Sequence, residues 1–133
     1  MNQPTHTDIL SIGVPKAHQD MVRGLAKPGE EILKSLTPGM VHAWHMATGM
    51  AGEAGEVLDF VKKLAIYNKP LDAAAIDKLN EELGDLEFYL EGVRQAFSLD
   101  RTEILAGNIR KLGKRYAGHK YSDQQAIDRK DQA

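Results

Sequence analysis

Apolar residues recur every three or four positions through two long stretches, one on each side of Asn68-Lys69-Pro70. No segment of useful length shows the two-residue alternation of a half-buried strand. The chain is therefore predicted to be all-α, a helical bundle built on a long antiparallel helix hairpin. Thr37 can cap the first long helix with Pro38 in its first position, and the pattern runs to about Ile66. Asp72 is placed to cap the second, which runs to about Phe97. Asp100, followed three residues on by Glu103, resembles a capping box and opens a last helix to about Tyr116. Upstream, a weaker helical pattern covers Ala17 to Leu25, Lys27-Pro28-Gly29 interrupts it, and Glu30 to Leu36 make another turn or two.

The 133 residues suffice for one core. The expected layout is a loose arm over 1–14, one domain over 15–121 and a polar tail over 122–133. A net charge of -2 implies neither a nucleic-acid partner nor an anionic membrane. The absence of cysteine excludes disulfides, zinc-thiolate sites and cysteine nucleophiles, so any metal must sit on oxygen or imidazole. Met1 to Gly13 lacks the features of a signal peptide and no apolar run approaches the ~20 residues of a membrane span, so a cytoplasmic location is expected.

Two acidic pairs stand out, Glu53 with Glu56 and Glu82 with Asp85, each spaced i, i+3 and so on one side of a helix. On the earlier helix the apolar stripe is Ala43, Met46, Met50, Ala54, Val57, Val61 and Leu64. Glu53 lies about 55° and Glu56 about 115° from its centre. On the later helix the stripe is Ile76, Leu79, Leu83, Leu86, Leu90 and Val93. Glu82 lies about 50° and Asp85 about 110° from that centre, on the same flank. Glu56 is 13 residues before Lys69 and Glu82 is 13 after it, so a hairpin turning there sets the pairs side by side. Four converging carboxylates are unfavourable unless protons or a cation neutralise them, and all-oxygen ligation suits Mg²⁺. A lone pair of this kind is ordinarily a solvated helix surface; two level pairs, each with a member inside the apolar stripe, favour a metal site. Gly49, Gly52, Gly55 and Gly84 lie within a turn of the acids, and glycine in a helix costs about 1 kcal/mol relative to alanine. They imply close approach by a backbone, a metal or a ligand, or else tight helix packing alone.

On the last helix Leu105, Ile109, Leu112 and Tyr116 form the expected buried stripe, with Asn108, Lys111 and Arg115 along one flank. That row could accept a polyphosphate, although basic residues near a helix C-terminus also simply favour the dipole. Tyr89, one turn beyond Asp85, could pack on a base or sugar, or be a core residue with its hydroxyl at the rim. His42 and His45 read as a partly buried structural pair before a zinc or substrate site, and Trp44 points to the other side of its helix, where it could cover a subunit interface or a neighbouring helix.

Glu53-x-x-Glu56, then 25 residues, then Glu82-x-x-Asp85, followed by Asn108-x-x-Lys111-x-x-x-Arg115-Tyr116, resembles the MazG-like branch of the all-α nucleoside triphosphate pyrophosphohydrolases. Gly52-Glu-Ala-Gly-Glu-Val, Val61-Lys-Lys63 and Glu-Glu-Leu-Gly-Asp before Phe88-Tyr89-Leu90 add to the likeness, which spans roughly Leu25 to Arg115. The resemblance implies a four-helix-type bundle that assembles as a homodimer or homotetramer, in which Glu53, Glu56, Glu82 and Asp85 bind Mg²⁺ or Mn²⁺. It implies cleavage of (d)NTP to (d)NMP and pyrophosphate, in nucleotide-pool house-cleaning. Glu53 or Glu56 would take the proton of the attacking water. Lys63, Tyr89, Asn108, Lys111 and Arg115 would bind substrate. The chain carries one such unit, unlike the tandem arrangement of longer MazG proteins. Two other readings stand beside it: a phosphoribosyl-ATP pyrophosphohydrolase-like enzyme, and a non-enzymatic helical interaction module whose acidic seam meets a basic partner. The Glu-x-x-His motif of a di-iron bundle is absent.

Overall fold

A computed structural model describes Thr5, Thr7 and residues 13–132. The expected loose arm over 1–14 falls mostly outside the described residues. Among these the protein is all-α, without a strand. It divides into two compact units, 1–37 and 38–133, so the boundary at Thr37 falls inside the 15–121 span expected of one domain.

In the first unit α1 spans Val14–Leu25 and α2 spans Gly29–Leu33. Helix α1 starts earlier than the apolar pattern because Pro15 sits in its first turn, where a missing N–H is harmless. Asp20 binds Lys16 at 2.5 Å and Arg23 at 3.0 Å along the exposed face. Extended Ala26 ends the helix ahead of Pro28.

The second unit begins with α3, Pro38–Ala65, and α4, Ala73–Ala96, which pack on each other along their length. Asn68 turns the chain with φ 51°, a left-handed conformation that asparagine tolerates, and the Lys69 N–H returns to the Lys63 carbonyl. Asp72 caps α4 as expected, accepting the Ala75 N–H at 2.9 Å. At the far end Ser98 takes the left-handed position (φ 52°) and the Leu99 N–H donates to the Arg94 carbonyl at 2.8 Å, a Schellman closure without glycine.

The seam of the hairpin is fixed by two interlocking contacts. A Cβ at Gly49 would fall inside the Tyr89 ring, and a Cβ at Gly92 would fall on the Met46 side chain. Each helix thus offers a glycine to the other helix's large side chain. Ala43 and Met46 are the buried hydrophobic residues among those described. Of the two expected stripes, Met50, Val57 and Leu64 on α3 and Leu79, Leu86, Leu90 and Val93 on α4 are half-buried, while Ala54, Val61, Ile76 and Leu83 stand exposed.

Helix α5, Arg101–Arg115, is capped by Asp100, which accepts the Glu103 N–H at 2.9 Å. It packs on the segment that follows it: a 3-10 turn at Ala117–His119, α6 at Asp123–Asp128 and a last turn at Lys130–Gln132. Two expectations are corrected here. Leu105 and Ile109 are exposed rather than buried, because α5 packs through its C-terminal half. The segment after Gly118 does not trail: Ser122 caps α6, and Asp131 folds back onto α5. No helix among the described residues is long and apolar enough to cross a membrane.

Candidate metal centre

Helices α3 and α4 bring Glu53, Glu82 and Asp85 together, with one carboxylate oxygen of each inside 4.8 Å of the others. Glu82 is 7% exposed, Glu53 half-buried and Asp85 exposed, so the group runs from the helix seam out to water. The geometry follows from the level pairing of the two motifs, held in register by the Gly49–Tyr89 and Gly92–Met46 contacts. Glu56, expected as a fourth member, is exposed and stands outside the group. It lies a turn further along α3, where its charge acts on the Lys63 ammonium.

The donors are oxygen only, which suits a hard divalent ion. Mg²⁺–O bonds of about 2.1 Å allow facing oxygens up to about 4.2 Å apart, so small side-chain rotations would close three oxygens on one ion. Three carboxylates this close repel one another. Lys78, a residue the sequence reading passed over, offsets part of that repulsion: its ammonium donates to Glu82 at 2.8 Å and to Glu81 at 3.4 Å. The hydrogen bond to Glu82, and then the one to Glu81, push the Lys78 pKa above its usual value. The Lys-x-x-x-Glu spacing was visible in the sequence as an ordinary i, i+4 helix pair.

The other expected site residues are placed as follows. Lys63 is paired with Asp59 on its own helix, and its pKa is raised first by that hydrogen bond and further by the charges of Glu56 and Glu82. Asp59 binds Lys62 as well, and the two lysines hold its carboxyl down to about 2. Tyr89 is half-buried in the seam over Gly49, with ring edges toward His45 at 6.2 Å and Phe88 at 5.2 Å between centroids. His42 and His45 are both exposed, not partly buried, since the seam at their level is filled by Ala43 and Met46. Trp44 is 63% exposed.

Asn108 and Lys111 are exposed on α5, which packs on the C-terminal turns rather than along the hairpin. Arg115 is engaged: its Nε and Nη2 each donate to Asp131 at 2.6 Å, a fork in which Asp131 is nearly buried. Arg115 holds the Asp131 carboxyl down to about 2, and Asp131 raises the arginine in turn. Scans against protein-family models, curated proteins and solved structures returned no match.

Proposed function

We propose that the protein is a metal-dependent nucleoside triphosphate pyrophosphohydrolase of the MazG-like type, cleaving (d)NTP to (d)NMP and pyrophosphate. One observation carries the reading: two acidic i, i+3 motifs, 25 residues apart in sequence, deliver three carboxylates from facing helices to within 4.8 Å. Glu53, Glu82 and Asp85 would hold Mg²⁺ or Mn²⁺. Such an ion supplies a Lewis acid for phosphate oxygens and lowers the pKa of bound water. Glu56, outside the group and exposed, remains available to accept the proton of the attacking water. Water oxygen then bonds to the α-phosphorus, the bond to the bridging oxygen breaks, and that oxygen leaves with pyrophosphate.

For the phosphates, Lys111 on α5 supplies a cation and Asn108 an amide donor, with Lys63 and Arg115 joining once the substrate competes with Asp59 and Asp131. The bundle is completed by pairing hairpins from two or four copies, because the protomer leaves Trp44, Leu58, Leu83 and Phe88 exposed and buries few apolar residues of its own. The biological role that fits is clearance of unwanted nucleotides.

The test is pyrophosphate release from a panel of canonical and modified NTPs and dNTPs, with Mg²⁺ and with EDTA. Metal-dependent release should fall about 100-fold or more in Glu53→Gln and in Glu82→Gln. If the folded protein binds metal yet cleaves none of the panel, phosphoribosyl-ATP is the substrate to try next. Turnover untouched by EDTA and by both substitutions would sink the proposal.

A further inference from the structure

Glu82 is 7% exposed, and its neighbours Glu53 and Asp85 are also carboxylates. A charge so placed needs a partner of opposite sign. Other cations on the two helices are committed elsewhere: Lys62 and Lys63 to Asp59, and Arg94 to Glu87 and Glu91. Among the described residues no ion pair reaches Glu53 or Asp85, and Lys78 is the cation that touches the group. Its own side chain is 59% exposed, so its stem lies along the surface with the ammonium turned inward to Glu82. A lysine held in this way can withdraw into water at little cost, unlike Arg94, whose side chain is only 13% exposed and forked onto two glutamates.

We infer that Lys78 is a built-in counter-cation of the acidic group, which satisfies Glu82 when no divalent ion is bound and gives it up when one binds. The inference rests on the proposed metal reading of that group and adds its regulation: Lys78 sets how much free divalent ion the site requires. An ammonium 2.8 Å from Oε1 of Glu82 lies close to where the ion would sit, repels it, and competes with it for the negative charge of that carboxylate. Like charge and competition for Glu82 act in the same direction, so Lys78 weakens metal binding.

The experiment is a calorimetric or Mn²⁺-EPR titration of the full chain at neutral pH with Mn²⁺ alone. The variants are Lys78→Met, Lys78→Gln and Lys78→Arg, with Lys69→Met as a control for loss of a positive charge elsewhere. Met and Gln should bind Mn²⁺ about five- to twentyfold more tightly than the wild type, while Arg and the Lys69 variant stay within about twofold of it. Without metal, Lys78→Met should melt a few degrees lower, and saturating Mn²⁺ should restore the wild-type Tm. Equal or weaker Mn²⁺ binding by both neutral variants, with the helical circular dichroism intact, overturns the inference while leaving the metal site standing. Absence of Mn²⁺ binding in all folded variants overturns both.

Discussion

The seam glycines differ in what they meet, and the same substitution should therefore give opposite results at different positions. Gly49→Ala puts a methyl group into the Tyr89 ring, which is stiff and held by its neighbours, and should cost about 2–3 kcal/mol in urea unfolding. Gly92→Ala meets Met46 at Sδ and also at Cγ, 2.8 Å away, and this flexible but buried side chain must shift, so the cost should be about 1–2 kcal/mol. Gly107→Ala finds only the Arg110 guanidinium, at 3.9 Å, and should gain about 0.5–1 kcal/mol. Equal effects at Gly49 and Gly107 would mean that the seam is not interlocked. In the sequence Gly49, Gly52, Gly55 and Gly84 form one group around the acids. A lack of Cβ is legible in sequence, but what fills the space is not: Tyr89 fills it at Gly49, while nothing of the described protomer does at the other three. Lys78 escaped notice for a related reason, since an i, i+4 pair is commonplace until burial of Glu82 shows what it serves.

At the scale of elements, caps and turns were the legible part. Asp72, Asp100 and the Asn68 turn act through neighbours within a few residues, so local chemistry placed the ends of α3, α4 and α5 to within about a residue. The level pairing of acids followed from the same turn, and three of the four expected carboxylates do meet. The Arg115–Asp131 fork joins residues sixteen apart, across α6, and no local signal announces it. Because Asp131 is held down to about 2 in the folded chain, the fork's contribution is complete above the ordinary carboxylate pKa of about 4. It is lost as pH falls through about 2. Relative to a free arginine at the same pH, the Arg115 Nε–H should be protected at pH 6 and at pH 4, lose that protection as pH falls through about 2, and be unprotected throughout in Asp131→Asn. A protected signal that persists below pH 2 would show that the carboxylate charge is not what holds the last turn.

The whole molecule is where periodicity reached its limit. It identified which side of each helix is apolar, but not what covers that side, and Leu83, Leu105 and Ile109 lie open in the protomer. If a second copy covers them, sedimentation at micromolar concentration should give a dimer or tetramer, and emission from Trp44, the sole tryptophan, should shift to the blue as concentration rises. A compact monomer with red-shifted emission would refute the assembly. The short link between α3 and α4 also has a kinetic consequence. Contacts across it are close in sequence near the turn, so the hairpin can zip from Asn68 outward in a fast unimolecular step. If two hairpins then meet, that step is second-order, so dilution would delay the late phase of refolding and leave the early one unchanged.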